Sequence, residues 1–488
     1  MKAQEHRALG DGATGAAAVN LGGDGLESQL MVTFGDVVAL SGDYFVADGF
    51  RVLAAAGDAS RAEALASDGL FTVAAVPGGR GERPGTRDEV ICALQVMASD
   101  QGESDPRFGA GGQFDGFDFV GGDGESEVER RVRDRFLALG ASNDDHFVHP
   151  GPRGTATAHD RPPSAFGAAP HAYRRLHERA LDEAWRLGLE GGDLSRAMAR
   201  EAAALHYLTD AFAAGHLRTP VAAMREFWQV RYPGFWDGLR AKVGTDTVAA
   251  LRAQAVPLRL LPRDTLHQRT AAAIERRTAA YPRISLGDLL AKVFHDWDNV
   301  HGLAVEGGGW LFGDGCLDQG DTAHLALDAV RAGIDDVEVA FELGAGGRGA
   351  GAGGLYQAVR DRTGAASGLF LAEARIPRLS PDNPPQNWQA SDFETLWDSP
   401  IVGSNGTTVG VAVSEALGEG QELTRRLEGL GRGIAGSVDV PPIPGLRRWV
   451  GRQASEAYQR GFVDRLAADP RAAVSACLGL PTLVPVAA

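Results

Sequence analysis

Residues 194–214, which we predict to form one helix, constrain the fold of this chain more than any other stretch, because their apolar side chains follow the period of an α-helix. The apolar positions lie three or four residues apart, at Leu194, Met198, Ala202, Leu205, Leu208 and Phe212. Such a stripe is typical of a helix that packs one face against a core. Pro170 suits a helix start, and Ser285 with Asp288 has the spacing of a capping box. We therefore predict an all-α fold.

Composition shifts along the 488 residues suggest a domain order. Residues 1–30 are rich in Gly, Ala and Asp and are interpreted as a loose N-terminal arm. Residues 31–343 are expected to form the main helical domain, interrupted by long loops. The glycine-rich tract 344–354 is typical of a linker. Residues 355–488 are then an additional helical C-terminal region.

His206 and Asp210 carry the first chemical signal, since residues four apart share one face of a helix. Their helix neighbours Ala199, Ala203 and Ala213 are small, which leaves room beside the two polar side chains. The three cysteines of the chain are far apart in sequence, so any metal ion is expected to be held by histidines and carboxylates.

His216 follows ten residues after His206. On a straight helix this is about 15 Å along the axis and roughly 80° around it, so the two histidines cannot bind the same ion. They can bind two ions with Asp210 bridging between them, particularly if Gly215 ends the helix and turns His216 inward. A bridging carboxylate is the geometry that two-metal hydrolases need.

Further candidate ligands lie on either side of this stretch. His295 lies on a predicted helix with Asp298 three residues on and Asn299 four residues on. His146 lies in an acidic segment, and His177 lies on the helix after Pro170, among mostly small neighbours. Each of these histidines is a candidate metal ligand.

The segment His206–Pro220 (HYLTDAFAAGHLRTP) resembles the signature of the zinc-dependent phospholipase C and single-strand-specific nuclease family. His206, Asp210 and His216 match that signature residue by residue. Residues 143–147 (NDDHF) resemble the family's His–aromatic loop, which would make His146 a ligand of the first pair of metal ions. His295 fits the histidine of a later helix. The acid that the family has four residues further on is Asn299 here, and the nearest carboxylate is Asp298.

This resemblance covers about residues 140–305 and implies a multi-helix catalytic domain that holds two or three Zn²⁺ ions, or another divalent metal. In the family the third ion uses the α-amine and carbonyl of an N-terminal Trp and a His soon after it. This chain begins with Met, so Asp36, Asp43 and His177 are the candidates for a third ion.

The activity implied by the resemblance is hydrolysis of a phosphate ester. Two metal ions lower the pKa of a bridging water, and the resulting hydroxide attacks phosphorus. The bond to the ester oxygen breaks, and another ion or a proton donor helps that oxygen to leave. Asp210 would act as the bridging carboxylate, and Arg218 would contact a phosphate oxygen. The net charge of −16 disfavours a broad surface for nucleic acid, so a small phosphoester or a lipid head group is the expected substrate.

The N-terminus has no apolar segment typical of a signal peptide, and no run of ~18 apolar residues predicts a membrane span. A cytoplasmic protein is therefore expected, although the resembling family is usually secreted.

Three other interpretations remain open. In the first, the chain would be a non-hydrolytic metal enzyme of a biosynthetic pathway, or a binding protein on the same scaffold. Alternatively, His295 and Asp296 belong to an HD-type metal phosphohydrolase, which is also all-helical. Finally, Gly344, Gly346 and Gly349 match a dinucleotide-binding GxGxxG motif, which requires a preceding strand.

Overall fold

The structure is a computed structural model. It describes residues 1, 3–15, 18–20, 31–42, 72–73, 83–84, 89–94, 132, 146–148, 169–238, 285–347, 351–363, 375–380 and 383, with single or paired positions between 241 and 272. Helices contain 73% of the described residues. The protein is therefore mostly helical, as the apolar period predicts.

Short strands accompany the described helices. The helices are α1 (Ala3–Thr14), α2 (Phe34–Leu40), α3 (Ala169–Glu190), α4 (Ser195–Asp210), α5 (Ala214–Arg218), α6 (Val221–Arg231), α7 (Leu286–His301), α8 (Thr322–Ala345) and α9 (Gly351–Arg362). The strands are β1 (Ala18–Asn20), β2 (Met31–Thr33), β3 (Thr72–Val73), β4 (Arg83–Pro84), β5 (Leu303–Ala304) and β6 (Trp310–Leu311). They form the antiparallel pairs β1–β2, β3–β4 and β5–β6.

The chain divides into two compact units. The first consists of Met1–Gly111, Ser142–Ala222 and His295–Trp388. The second consists of Gly112–Ala141, Ala223–Phe294 and Gln389–Ala488. The residues discussed below as a candidate site all belong to the first unit.

Helices α3, α4 and α8 pack together in the first unit. Glycines allow α3 and α8 to cross closely. A Cβ atom on Gly188 would lie 2.2 Å from the carbonyl oxygen of Phe341, and one on Gly344 would lie 2.1 Å from that of Trp185. Because any larger residue at these positions would collide with backbone, the crossing depends on glycine.

The N-terminal residues differ from the predicted loose arm. Residues 3–14 form α1, which packs on α2, α4 and α8 and buries His6 and Leu9. A Cβ on Gly35 would lie 2.1 Å from the carbonyl oxygen of Arg7, so α1 and α2 are in close backbone contact. The glycines weaken the helical pattern in the sequence, yet they are what permits this packing.

Helix α4 ends earlier than predicted. It stops at Asp210, and the residues that follow form turns in which Ala213 N–H donates to the Asp210 carbonyl at 2.9 Å. Ala213 is extended, with φ −79° and ψ 125°, and α5 begins after it. Gly215 therefore lies inside a second short helix instead of ending the first. This interruption of the helix turns His216 back toward Asp210.

Two predicted helix starts are confirmed. Helix α3 begins at Ala169, next to Pro170. At the start of α7, the Asp288 N–H donates to Ser285 Oγ at 3.1 Å, and the Ser285 N–H donates to Asp288 Oδ2 at 2.7 Å. This is the reciprocal pairing of a capping box.

The glycine-rich tract lies within the first compact unit. Leu355 and Val359 of α9 share one apolar core with Leu181 of α3 and Val337 of α8. Parts of the predicted linker lie inside α8 and α9, because both helices bury apolar side chains against α3. Residues 348–350 and 384–488 lie outside the described part, so the C-terminal region is described mainly through α9.

The dinucleotide-binding interpretation is wrong. The residues before the GxGxxG motif belong to α8, which spans Thr322–Ala345, so a helix stands where the motif needs a strand.

Among the helices in the described part of the chain, none is both long and apolar enough to cross a membrane.

Candidate metal centre

The α-amino group of Met1 is buried among acidic side chains and a histidine. Its nitrogen lies 2.8 Å from Asp210 Oδ1, 3.2 Å from Asp314 Oδ1 and 3.3 Å from His216 Nε2. Burial by itself would lower the pKa of this amine, but the carboxylates of Asp210 and Asp314 outweigh it and raise the pKa to about 11. The positive charge therefore compensates the carboxylates around it.

Asp210 lies at the centre of the buried histidines, and its two oxygens face different groups. Oδ2 lies 2.6 Å from His146 Nδ1 and 3.4 Å from His206 Nε2. Oδ1 lies 3.2 Å from His216 Nδ1 and 3.4 Å from His6 Nε2. Burial raises the pKa of the carboxyl, but the Met1 ammonium and these histidines hold it well below its usual range. Asp210 is therefore ionised at neutral pH.

His206 is oriented by its Nδ1 atom, which lies 2.9 Å from the carbonyl oxygen of Val38. Because a carbonyl only accepts, Nδ1 carries the hydrogen and Nε2 presents a lone pair toward Asp210. Burial and the neighbouring His6 lower the pKa of His206 well below its usual value, so the ring is neutral. A neutral ring with a directed lone pair is what a metal ligand requires.

His6 is oriented in the same way from α1. Its Nδ1 atom lies 2.6 Å from Thr209 Oγ1, and the Thr209 hydroxyl has backbone carbonyls at 2.7 and 2.9 Å to which it donates. The hydroxyl has one hydrogen, so it accepts from His6 Nδ1 and leaves His6 Nε2 facing Asp210. The rings of His6 and His206 stack with centroids 4.2 Å apart.

The segment 146–148 docks on α5 and places His146 near His216. Val148 N–H donates to the His216 carbonyl at 2.9 Å, and the Phe147 ring stacks on His216 with centroids 4.6 Å apart. His216 Nδ1 lies 3.1 Å from the His146 carbonyl oxygen. Burial and the Met1 ammonium lower the pKa of His216 to about 4, so this ring is also neutral at pH 7.

Within the described part of the chain, two groups of side chains could hold a metal ion. Within each group the ligand atoms lie within 4.8 Å of one another. The first group contains His6, His206 and Asp210, and the second contains His216, His295 and Asp314. Five of the predicted ligands are brought together around these groups: His146, His206, Asp210, His216 and His295.

Arg218 and Asp298 are not placed as predicted. Arg218 is 3% exposed, and its guanidinium donates to both carboxylate oxygens of Asp298, with Nε at 2.9 Å from Oδ2. Asp298 therefore neutralises the buried guanidinium of Arg218. Arg218 is held by this contact and does not lie on an open surface. The helix position one residue further on, Asn299, is the one that faces His295, at 3.2 Å.

His177 lies in a different buried cluster. Its Nδ1 atom is 2.6 Å from Glu201 Oε2 and its Nε2 atom is 3.4 Å from Asp336 Oδ2. Burial lowers the pKa of His177, but Glu201 and Asp336 outweigh it and raise the pKa. His177 is therefore a bridge between two carboxylates and not a ligand of the candidate centre.

Asp36 caps a helix and is not part of the candidate centre. Its Oδ2 accepts the Thr33 N–H at 2.7 Å, and its Oδ1 lies 3.1 Å from Arg7 Nε. Asp36, one of the three candidates for a third ion, is therefore engaged in a capping box and an ion pair with Arg7 instead. Asp43, the other predicted carboxylate, and the side chain of Asp296, on which the HD-type interpretation rests, lie outside the described residues.

Sequence reasoning missed three contributors: the Met1 amine, His6 and Asp314. The resembling family itself offered a signal for the first two, because it combines an N-terminal amine with a histidine soon after it. Met1 and His6 offer these two groups in this chain, although Met stands where the family has Trp. Asp314 lies on a loop, where no periodic pattern points to it.

The described residues thus define a mostly helical protein with buried His and Asp groups that could hold metal ions. Comparison with protein-family models, curated proteins and solved structures found no match to this chain.

Proposed function

We propose that this chain is a metal-dependent hydrolase that cleaves a phosphate ester, with a fold of the zinc-dependent phospholipase C and nuclease type. The observation that carries the proposal is the position of Asp210, whose two oxygens face two different sets of buried histidines. A carboxylate in this position can join two ions, which is the arrangement that two-metal hydrolases use.

The positions of the candidate ligands around Asp210 support the proposal. His146 and His206 lie at Asp210 Oδ2, while His216 lies on the other side of the same carboxylate, next to His295. This arrangement agrees with the pattern of ligands that the family resemblance implies over residues 140–305.

The N-terminal residues support a third metal position. The Met1 amine and His6 Nε2 both lie near Asp210 Oδ1, at 2.8 and 3.4 Å. The family resemblance implies an N-terminal amine and an early histidine at the third ion. In this chain Met1 would take the place of the Trp.

The donor atoms suit zinc. They are imidazole nitrogens and carboxylate oxygens, which zinc binds readily. The lowered pKa values of His206 and His216 keep the rings neutral, and Asp210 stays ionised. Zinc ions held there would activate water as a nucleophile and neutralise charge on phosphate oxygens.

The exposure of the side chains indicates the direction from which a substrate would approach. His206 and Asp210 are at most 1% exposed, whereas the Asp314 side chain is 26% exposed. The substrate would therefore approach from the side of Asp314. The net charge of −16 favours a small phosphoester or a lipid head group over a long nucleic acid.

The test combines metal analysis with activity. Protein purified without chelators is analysed by plasma mass spectrometry and assayed with p-nitrophenyl phosphorylcholine and single-stranded DNA. We expect roughly two or three zinc ions per chain and hydrolysis of the small ester. His206→Ala should lose both, while His324→Ala, at an exposed position on α8, should keep both.

Three outcomes would contradict parts of the proposal. Less than one metal ion per wild-type chain would overturn the metal centre. Full zinc content without turnover of any phosphodiester would favour the non-hydrolytic alternative. Full metal content in His206→Ala would show that the ligand assignment is wrong.

A further inference from the structure

We infer that Asp314, on the loop between β6 and α8, is the carboxylate ligand of a zinc position that also uses His216 and His295. This inference rests on the proposed function. It assigns a ligand that neither helix spacing nor the family resemblance indicates, since both direct attention to the acid expected on α7.

The geometry places Asp314 beside both histidines. Its Oδ2 atom lies 3.3 Å from His295 Nε2, and the rings of His216 and His295 have centroids 5.0 Å apart. The three side chains each offer one ligand atom within 4.8 Å of the others. Small rotations of the side chains would bring these atoms to the ~2.0–2.2 Å that is typical of zinc bonds to nitrogen and oxygen.

Among the described side chains of α7, Asn299 and Asp298 lie near the expected position of the acid, and neither offers a comparable oxygen to His295. The Gly215 N–H lies 2.7 Å from Asn299 Oδ1, and because an N–H only donates, the atom facing it must be oxygen. The Asn299 NH₂ group therefore faces His295 Nε2, at 3.2 Å, and presents hydrogens there. The neighbouring Asp298 carboxylate accepts hydrogen bonds from Arg218.

The loop around Asp314 is anchored on both sides. The Gly313 N–H donates to the Asn299 carbonyl at 3.1 Å, and the Gly315 N–H donates to Glu5 Oε1 at 2.9 Å. A Cβ on Gly313 would lie 2.2 Å from Asn299 Oδ1, so glycine allows the loop to approach α7 this closely. These contacts fix the position of the carboxylate between them.

Asp314 itself has φ 41°, in the left-handed region that residues with a side chain rarely adopt. Backbone strain of this kind persists where surrounding contacts enforce it, and it is concentrated at functional sites.

His216, His295 and Asp314 make a three-ligand set, and Asp210, whose Oδ1 lies 3.2 Å from His216 Nδ1, would add an oxygen to it. Catalytic zinc sites can expand their coordination to admit water or substrate. Asp314 is the partly exposed member of the set. Water or a phosphate oxygen would therefore reach the zinc ion from the side of Asp314.

The experiment measures zinc content and zinc affinity of the full chain. Proteins are stripped with a chelator and titrated with Zn²⁺, comparing wild type, Asp314→Asn and the control Asp318→Asn. Asp318 is an exposed residue of the same loop. We expect Asp314→Asn to lose one zinc ion or to bind it at least about 10- to 100-fold more weakly, and Asp318→Asn to match wild type.

A second variant separates ligation from a structural role. Asn299→Asp puts an oxygen where the Asn299 NH₂ group faces His295. Combined with Asp314→Asn, it should restore the lost zinc ion, which a purely structural role for Asp314 would not allow. Circular dichroism of the metal-free proteins checks that each variant folds.

The possible results distinguish this inference from the proposed function. If wild type binds zinc fully and Asp314→Asn binds it equally well, Asp314 only pairs with the Met1 ammonium and this inference alone is overturned. If wild type binds no zinc, the proposed function and this inference are both overturned.

Discussion

The Oδ1 atom of Asp210 lies 2.8 Å from the α-amino nitrogen of Met1, although 209 positions separate the two residues in the chain. Both groups are buried, and the positive charge of the amine compensates the negative charge of the carboxylate. Without the ammonium, Asp210 would be an uncompensated anion in a nonaqueous environment, which is costly. In the proposed zinc enzyme, metal ions take over this compensation.

Asp210→Asn should affect stability and metal binding together. The change removes the carboxylate but leaves the Met1 ammonium buried, so we expect the metal-free protein to lose about 3–5 kcal/mol of unfolding free energy. Zinc content should fall by one ion or more. Denaturant unfolding and plasma mass spectrometry measure the two effects, with Asp318→Asn as the neutral control. Unchanged values for both would refute the central position of Asp210.

Extending the chain before Met1 should weaken the third metal position. A protein that carries one additional Gly before Met1 replaces the free amine with an amide, which cannot bind metal through nitrogen. We expect the loss of one zinc ion and most of the activity. The control keeps the original length with Ala at position 1, which preserves the amine. Equal zinc content in both proteins would exclude the amine as a ligand.

His216 and the Met1 amine together contribute most to the stability of the metal-free protein between about pH 6.5 and 8. Burial and the Met1 ammonium lower the pKa of His216 from 6.5 to about 4, so the unfolded chain binds more protons in this interval. Stability therefore decreases as the pH falls from 6.5 toward 4.

On the alkaline side the sign reverses. Burial lowers the pKa of the Met1 amine, but Asp210 and Asp314 raise it overall from 8.0 to about 11, so the folded chain binds the additional proton. Stability therefore decreases as the pH rises from 8 toward 11. Urea unfolding of chelator-treated protein at about pH 5, 7 and 10 tests both limbs, and a flat profile would contradict them.

Asp298→Asn should destabilise the protein without removing zinc. Asp298 is 1% exposed and neutralises the buried Arg218, so its replacement leaves a buried cation and should cost about 3–5 kcal/mol. Because Asp298 is not in either candidate metal group, zinc content should match wild type. Loss of zinc in a folded Asp298→Asn protein would restore Asp298 as a candidate ligand.

Gly42→Ala should displace His206. Gly42 has φ 86°, and a Cβ there would lie 2.4 Å from His206 Cδ2. The matched control is Gly307→Ala, which has a similar φ of 94° and has no atom within 4 Å of the added Cβ. Both variants carry the backbone strain of about 1 kcal/mol or more, but only Gly42→Ala should also weaken zinc binding. Equal zinc affinity in the two variants would contradict the placement of His206.

Part of the fold and of the candidate site was predictable because it is local. The spacing of His206 and Asp210 places them on one helical face, and the Ser285–Asp288 pair marks a helix start. Both depend on the period and the end groups of a single helix, which few neighbouring residues determine. The end of α4 was less predictable, because a helix end without a capping side chain has a weak sequence signal.

Asp36 shows why long-range assignments from sequence fail. Its acidic side chain is equally suited to a metal ion and to the N-terminus of a helix. The proximity of Thr33 and Arg7 decides between the two, and Arg7 comes from α1, which the composition of residues 1–30 did not predict.

The sequence by itself determined the helical class, the face shared by His206 and Asp210, and the choice of nitrogen and oxygen donors over thiols. The tertiary structure alone brought Met1, His6 and Asp314 to that face and directed Asp298 to Arg218. Helical periodicity follows from backbone hydrogen bonds four residues apart, so it can be read along the chain. The partner of a buried charge depends on which opposite charge the packed helices place beside it, and that position exists only in three dimensions.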